Sequence, residues 1–366
     1  MMRLRLAALL ALLLLFAPGS VAAQDSFDGV ARIVAVGDVH GDFDRLVEVL
    51  RDAGVVDRRN RWTGGGTHLV QTGDVLDRGP DARKVLDLLM SLEKQARRAG
   101  GRVHALLGNH EAMNLAGDLR YVPAGEYAAF RSPETSELRA RVFELLADPA
   151  SKDDAAYRAR WEAQHPLGWV ERSLAFGPKG AYGKWLRQRA AVVRINGILF
   201  LHGGLSPKHG SLSIPEINQR IEQELAGTAL PEGSLAADPE GPLWYRGLAT
   251  LPEPELREHV DRLLSLHQAR HIVIGHTVVA PAIVPRLSAR VIAIDVGLSA
   301  LYKGPPAALI VEGERLFALH RGHRLPLPVD GRLRAYLEAA AKLDPAPSPI
   351  LEVIDKLAPV AEPVLR

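Results

Sequence analysis

Short polar motifs follow several apolar runs of the chain, and they contain residue types that bind metal ions. Six candidate ligands stand out: Asp38, His40, Asp74, Asn109, His202 and His276. Two carboxylates, three imidazoles and an amide oxygen are too many for one ion and suit two ions that share a carboxylate. Oxygen and imidazole donors without thiolate favour manganese, which we expect first, or iron, zinc or cobalt. Two such divalent ions about 3.5–4 Å apart hold the attacking and departing oxygens of an in-line displacement.

The elements that must position these ligands can be inferred from the surrounding pattern. Each motif follows a short, continuous apolar and β-branched run, which is typical of a buried strand. Helical patterns lie between the first runs; Asp42 can cap one helix and Asp81 opens another. This order indicates βαβ units, whose parallel strands end at one edge of a sheet. Because sites in open α/β sheets form there, we expect the ligands to converge.

Other polar residues of the motifs suit a phosphoryl substrate. Arg78 and Arg246 could each bind a phosphoryl group through the guanidinium. His110 is placed to act as general acid for a leaving oxygen, with the Asp77 carboxylate holding and polarising it. Asp295 follows a further apolar run, and we expect it to be a structural carboxylate rather than a metal ligand.

The composition excludes several other classes of protein. The 366 residues are 47% hydrophobic and 24% charged, which is ordinary for a globular chain and excludes a disordered or collagenous one. The absence of cysteine excludes disulfides, cysteine nucleophiles and thiolate metal sites. Two of the 45 basic side chains lie in residues 1–23, so the remaining chain has equal numbers of basic and acidic groups. This neutrality argues against a nucleic-acid partner.

The N-terminal segment has the pattern of an export signal. Arg3 and Arg5 precede an apolar run, and small residues follow it, which predicts a cleaved signal peptide over residues 1–23. The apolar run of about ten residues is too short to span the bilayer, so we expect no stable membrane anchor. The sequence therefore predicts a periplasmic or secreted protein.

The motifs, taken in order, resemble those of a known family. They are Gly37-Asp38-Val39-His40-Gly41, Gly73-Asp74-Val75-Leu76-Asp77-Arg78-Gly79, Gly108-Asn109-His110-Glu111, Leu201-His202-Gly203-Gly204 and Gly275-His276. The ordered set is similar to that of the calcineurin-like metallophosphoesterases, and more narrowly to the phosphoprotein phosphatase family. The segment Ala181–Arg187 is similar to the Shewanella-like protein phosphatase branch of that family.

The resemblance implies an α/β fold, a metallophosphatase-like β-sandwich flanked by helices in four αββα layers. The metallophosphoesterase domain is predicted over residues 28–323. Its stretch from about 112 to 194 is predicted as a mostly helical insertion, because helical patterns and prolines alternate there. Residues 324–366 are predicted as a proline-rich tail with one helix near 332–342, either docked or disordered.

The resemblance also implies roles for the candidate residues. Asp38 and His40 would hold the first ion, and Asp74 would bridge the two ions. The ligands of the second ion would be Asn109, His202 and His276. A metal-bridging hydroxide would attack phosphorus. His110, paired with Asp77, would protonate the leaving oxygen, while Arg78 and Arg246 would bind phosphate.

We therefore expect a phosphomonoesterase acting on phosphoprotein or phosphopeptide. Preference for phosphotyrosine over phosphoserine or phosphothreonine stays open, because Ile294-Asp295-Val296-Gly297 stands where the eukaryotic serine/threonine enzymes have a Ser-Ala-Pro-Asn-Tyr loop. One alternative is a dinucleoside polyphosphate hydrolase or another small-phosphoester hydrolase on the same core, although Asp77 and Glu111 fit the protein phosphatases better. The other alternative is a non-catalytic module that binds metal or a partner.

Overall fold

The computed structural model describes residues 25–357 of the chain. The expected signal peptide, residues 1–23, lies outside this described part. Among the described residues, none of the helices combines the length and the apolar character needed to cross a membrane.

The described residues form twelve strands and thirteen helices. The strands are β1 (Ser26–Phe27), β2 (Arg32–Val36), β3 (His68–Gln71), β4 (Arg102–Ala105), β5 (Val192–Ile195), β6 (Ile198–Leu201), β7 (His271–Ile274), β8 (Val284–Arg286), β9 (Val291–Ala293), β10 (Ala307–Glu312), β11 (Arg315–His320) and β12 (His323–Pro326). The helices are α1 (Phe43–Asp52), α2 (Ala82–Arg98), α3 (Asn109–Leu115), α4 (Ala124–Ala128), α5 (Thr135–Leu146), α6 (Ala155–Gln164), α7 (Trp169–Phe176), α8 (Ala181–Arg187), α9 (Ile214–Glu224), α10 (Gly247–Thr250), α11 (Glu253–Leu266), α12 (Leu333–Ala341) and α13 (Ile350–Lys356).

The first sheet contains the predicted βαβ units. Its strand order is β12-β11-β10-β2-β3-β4, and the neighbours β2, β3 and β4 are parallel. Helix α1 lies between β2 and β3 in the chain, and the Asp42 side chain caps it by accepting from the Arg45 N–H at 3.1 Å. Strands β10 to β12 complete the sheet in antiparallel fashion.

The second sheet is also mixed. Its order is β1-β5-β6-β7-β9-β8, with β6, β7 and β9 parallel to one another. The register pairs Leu201 with Ile274 and Ile274 with Ala293, so the three strands end level with one another. Strands β6 and β9 are buried along their length, and β7 is buried at every residue except His271, as strands with both faces covered must be.

Both sheets contribute to one continuous apolar core, to which the surrounding helices add their buried faces. Two mixed sheets flanked by helices are the architecture that the sequence predicted, so the expected α/β fold is confirmed.

The segment between the first and second sheets is helical, as the sequence indicated. Its longest helices are α5, which begins at Thr135, and α6, which begins at Ala155. Phe143 and Trp161 form a small apolar cluster of their own with Ala147, separate from the main core.

The C-terminal segment contains two helices, where the sequence predicted one. Helix α12 corresponds to the expected helix, and α13 follows Pro349. Buried Ile350 and Ile354 belong to the main core, so tertiary packing stabilises a seven-residue helix that has little intrinsic stability. Strand β12 spans the predicted tail boundary and pairs with β11.

Candidate metal centre

Polar motifs from six parallel strand ends meet at one place between the two sheets. Strands β2, β3 and β4 contribute from the first sheet, and β6, β7 and β9 from the second. The polar residues that directly follow these strand ends are all buried: Asp38, His40, Asp74, Asn109, His202, His276 and Asp295. The convergence predicted from the motif spacing is therefore observed.

Asp74 lies at the centre of the cluster. One group of donor atoms within 4.8 Å of one another comes from His40, Asp74 and His110, and a second comes from Asp74, His202 and His276. The Asp74 Oδ2 atom lies 3.8 Å from His40 Nε2 and 3.3 Å from His202 Nε2. The carboxylate that the two groups share is the one expected to bridge two ions.

Backbone carbonyls fix the tautomers of the histidines. His202 Nδ1 donates to the Thr72 carbonyl at 3.0 Å, and His40 Nδ1 donates to the Leu76 carbonyl at 3.1 Å. His276 is reversed, since its Nε2 donates to the Trp244 carbonyl at 3.0 Å. In the neutral form of each ring, the nitrogen that faces the cluster then has the lone pair that a metal ligand requires.

These lone pairs face one another. His202 Nε2 lies 3.0 Å from Asn109 Oδ1 and 3.1 Å from His276 Nδ1. Burial lowers the pKa of His276 to about 2, so its ring is neutral at ordinary pH. When the rings are neutral, these atoms are acceptors without a proton between them and repel one another, and a cation at this point would satisfy all of them at once. The donor set therefore fits a divalent metal ion.

The carboxylates of the cluster are crowded, which also fits a bound cation. Burial, with the nearby Asp295 and Asp74 carboxylates, raises the pKa of Asp38 well above its usual value. Burial likewise raises the pKa of Asp295 to about 6. Burial would raise the pKa of Asp74 too, but the imidazoles of His202, His110 and His40 outweigh it and hold that pKa well below normal.

Glu111 holds the loops that carry the ligands, a role that the sequence analysis did not assign. Its fully buried carboxylate accepts from the N–H groups of Asp74 at 2.7 Å, Val75 at 3.0 Å and Gly108 at 2.8 Å. The signal was present in the sequence, since a Glu three residues into a helix is typical of a capping box. A Cβ on Gly108 would overlap the Asp74 carboxylate, so only glycine permits this approach.

Several candidate residues have left-handed backbone, which is uncommon outside glycine and is concentrated at functional sites. They are His40 (φ 47°), Asp74 (φ 56°), Asp77 (φ 66°), Arg78 (φ 70°) and His276 (φ 64°). All five lie in the loops that follow strands β2, β3 and β7, where the chain turns sharply.

His110 and Asp77 form the pair that the sequence predicted. His110 Nδ1 lies 2.5 Å from Asp77 Oδ2, and His110 Nε2 lies 3.9 Å from Asp74 Oδ2. Burial would lower the pKa of His110, but the Asp74 and Asp77 carboxylates outweigh it and raise that pKa. The Asp77 carboxylate thus directs Nε2 toward the cluster and favours the protonated ring.

The two predicted phosphate ligands lie at the rim of the cluster. Arg246 Nη1 donates to the His276 carbonyl at 2.7 Å and to Thr277 Oγ1 at 3.0 Å, and its side chain is exposed. The Arg78 guanidinium stacks over the Tyr121 ring at 4.0 Å. Both cations therefore stand beside the ligand groups: Arg78 follows Asp74 by four residues, and Arg246 is hydrogen-bonded to the backbone of His276.

Two tyrosines that the sequence analysis did not single out complete the rim. The Tyr121 ring lies 5.3 Å from the His110 ring, and the Tyr302 ring lies 5.7 Å from the His40 ring. Tyr121 is 36% exposed and Tyr302 is 47% exposed. Neither lies in a recognisable motif, so only the folded chain brings them to the site.

The comparisons with known proteins identify the family. The calcineurin-like phosphoesterase family profile matches residues 31–280. The chain belongs to the calcineurin-like phosphoesterase family. The predicted resemblance is confirmed, and membership makes the protein a hydrolase of phosphoesters that uses divalent metal ions.

Individual relatives of this phosphoesterase agree with that assignment. It is 35% identical over 302 residues to uncharacterized protein C1840.07c of Schizosaccharomyces pombe, covering 80% of each chain. It is 31% identical over 289 residues to Shewanella-like protein phosphatase 2 of Arabidopsis thaliana, covering 75% of this chain and 73% of that one. The crystal structure of the cold-active protein-tyrosine phosphatase of a psychrophilic Shewanella species matches with a TM-score of 0.64 and 30% identity, covering 84% and 85% of the two chains.

Proposed function

We propose that the protein is a metal-dependent phosphoprotein phosphatase in which two divalent ions share Asp74 and His110 is the general acid. The observation that carries the proposal is the position of Asp74, whose carboxylate belongs to both groups of donor atoms. The names of the Arabidopsis and Shewanella relatives support phosphoprotein as the substrate.

The proposed ligands divide between the two ions. Asp38 and His40 would hold one ion, and Asn109, His202 and His276 would hold the other. When bound, the ions would polarise phosphoryl oxygens and lower the pKa of the attacking water. Manganese is the ion that we propose, since the donors are carboxylate, imidazole and amide.

The residues of the chain supply the remaining chemistry. His110 is held through Nδ1 by Asp77, so its Nε2 proton is available to the oxygen that leaves phosphorus. Arg78 and Arg246 would bind the non-bridging phosphoryl oxygens and orient the substrate.

The rim favours a flat aromatic substrate. Tyr121 and Tyr302 present half-exposed rings beside His110 and His40, where the leaving group of a bound phosphoester would lie. Such rings stack with another aromatic ring and gain about 0.5–1.5 kcal/mol beyond simple burial. We therefore propose phosphotyrosine as the preferred residue.

Turnover of matched substrates with manganese tests this proposal. Phosphotyrosine and phosphothreonine peptides of one sequence, and a dinucleoside tetraphosphate, are compared by kcat/KM. We expect the phosphotyrosine peptide to exceed the phosphothreonine peptide by about two- to tenfold, the equivalent of the stacking energy. Turnover of the nucleotide without any phosphopeptide activity would overturn the proposal and support the small-phosphoester alternative.

We also propose that residues 1–23 direct export to the periplasm or beyond the cell. Mass determination of the protein recovered from a periplasmic extract tests this. The expected N-terminus is Gln24, and an uncleaved chain found only in the cytosol would contradict it.

A further inference from the structure

A buried chain of polar contacts runs from the helical insertion to the proposed general acid. Arg172 of α7 donates from Nε to Glu126 of α4 at 2.7 Å and from Nη2 to Asn114 Oδ1 at 2.6 Å. Asn114 Nδ2 donates to Asp77 Oδ1 at 3.0 Å and to the His110 carbonyl at 2.9 Å. The other Asp77 oxygen lies 2.5 Å from His110 Nδ1. The side chains of Arg172, Asn114 and Asp77 thus connect the insertion with the His110 ring, and Glu126 pairs with Arg172.

The direction of each contact is dictated by the chemistry of the groups. A guanidinium has donors and no acceptor, so the Asn114 atom that faces Arg172 must be Oδ1. The amide NH2 group is then forced to face Asp77 and the His110 carbonyl. An asparagine turned the other way would point an acceptor at the Asp77 carboxylate and would repel it. Arg172 therefore fixes which way Asn114 points.

The contacts are fully withdrawn from water, which makes their loss costly. Arg172 is 1% exposed and Glu126 is 0% exposed, and the Arg172 guanidinium also lies 4.2 Å from the centre of the Phe176 ring. A buried ion pair gives little net stability compared with apolar residues of the same size. Stability alone therefore does not account for a buried arginine whose second side-chain hydrogen bond goes to Asn114.

We propose that Arg172, Glu126 and Asn114 are positioning residues that hold the Asp77 carboxylate, and through it the His110 ring, in the orientation for proton donation. This inference rests on the proposed role of His110. In the reaction a bond forms between a water oxygen and phosphorus while the bond from phosphorus to the phenoxide oxygen breaks. The phenoxide takes the proton from His110 Nε2, and the proton that the water loses returns His110 to its starting state. The insertion would thus control the acid half of that reaction and leave metal binding unchanged.

The test uses the leaving group as the readout. The double variant Arg172→Met with Glu126→Gln removes the cation without leaving an unpaired buried charge. Dinitrophenyl phosphate releases a stable anion that needs no proton, whereas phenyl phosphate releases a basic one. We expect kcat for phenyl phosphate to fall about tenfold or more, as for the loss of an orienting partner, and kcat for dinitrophenyl phosphate to change less than about twofold.

Two further variants separate this role from a structural one. Asn114→Leu breaks the chain at its centre while retaining the Arg172–Glu126 pair, and we expect the same leaving-group effect. Arg189→Met removes a cation that pairs with Glu93 at 3.2 Å outside this chain, and we expect it to slow both substrates equally or not at all. Equal loss on both substrates in the Arg172 and Asn114 variants would overturn the proposal.

The His110→Asn background shows which claim has failed. If His110 is the acid, its replacement alone produces the leaving-group effect, and the Arg172→Met and Glu126→Gln changes add less than about twofold to it. A leaving-group effect for His110→Asn without one for the Arg172 variant would sink the positioning role alone. If His110→Asn showed no leaving-group effect, the role of His110 as general acid would itself be contradicted.

Discussion

Two buried histidine pairs in this molecule have nearly the same spacing and opposite surroundings. His202 Nε2 lies 3.1 Å from His276 Nδ1 at the metal cluster, and His104 Nε2 lies 3.0 Å from His68 Nδ1 between the neighbouring strands β3 and β4. At the cluster, carbonyls accept the outer N–H of both rings, so in the neutral rings the facing nitrogens have no proton between them. We call His68 and His104 the strand pair. In the strand pair one ring can donate a hydrogen bond to the other, so neither facing nitrogen needs a further partner.

The charged neighbours differ in the same sense. Asp74 lies 3.3 Å from His202, whereas the strand pair has the cation Arg102 nearby. Burial is the main cause that lowers the pKa of His68 to about 4, and the Arg102 cation adds to it. Burial is also the main cause that lowers the pKa of His104 to about 3, and the His68 ring adds to it. Burial of paired histidines is therefore no sign of a metal site by itself. Fixed tautomers that leave lone pairs facing a shared carboxylate are the distinguishing feature.

The largest expected effect comes from removing the shared carboxylate. Asp74→Asn should lower kcat by at least about 10³-fold, because metal stabilisation of the transition state is worth several kcal/mol and each 1.36 kcal/mol is a factor of ten. Manganese content measured by elemental analysis should fall in parallel. A variant that retained both the metal and the activity would contradict the bridging role of Asp74.

The general acid should have the next largest effect. His110→Asn should lower kcat for phenyl phosphate by about 10²–10⁴-fold, the range for a lost general acid. The variant should still bind manganese, as elemental analysis can show. Parental turnover in the variant would refute the acid role, and loss of the metal would make His110 a ligand instead.

Metal binding should stabilise the fold through the cluster and not through the strand pair. At a manganese concentration of about 100 times Kd, linkage predicts about 2.7 kcal/mol of added stability against unfolding. Urea titrations with and without the metal measure this difference. His104→Phe should retain it and Asp74→Asn should lose it; the reverse pattern would place the metal at the strand pair.

The strand pair should matter for stability alone. His104→Phe leaves the His68 nitrogen without its partner and should lower the free energy of unfolding by about 1–3 kcal/mol. Turnover with manganese should stay within about twofold of the parent. A large loss of activity in a folded variant would contradict the structural role assigned to these histidines.

The same pair predicts a pH dependence of stability. The folded pKa values of His68 and His104, about 4 and about 3, lie below the unfolded value near 6.5, so the unfolded chain binds more protons in between. Stability is fully present above pH 6.5 and falls below it, by about 1.4 kcal/mol per pH unit for each histidine. Urea unfolding of metal-free protein should show a steeper fall than His104→Phe, and equal slopes would contradict this.

The metal cluster was predictable because its ligands are local. Each ligand stands within a few residues of a strand end, and the topology of parallel strands then brings the ends together. Asp38 and Asp74 are recognisable for this reason. The same topology brings together residues far apart in the chain, since Asp38 Oδ1 accepts from the N–H of His276, 238 residues away.

The contacts that hold the proposed acid His110 in place were not predictable, because the residues that make them are far apart in the sequence. Arg172 reaches Glu126 and Asn114 across 46 and 58 residues, from helices whose periodicity carries no chemical signal. The tail shows the same limit, because α13 depends on packing of Ile350 and Ile354 rather than on its own sequence. The reactive groups can thus be recognised in the sequence, whereas the residues that hold them in place are much harder to recognise there.

Anomalous diffraction from a manganese-loaded crystal shows directly whether two ions share Asp74. We expect two manganese peaks, both in contact with the Asp74 carboxylate, and none between His68 and His104. A single peak, or peaks that do not share Asp74, would contradict it.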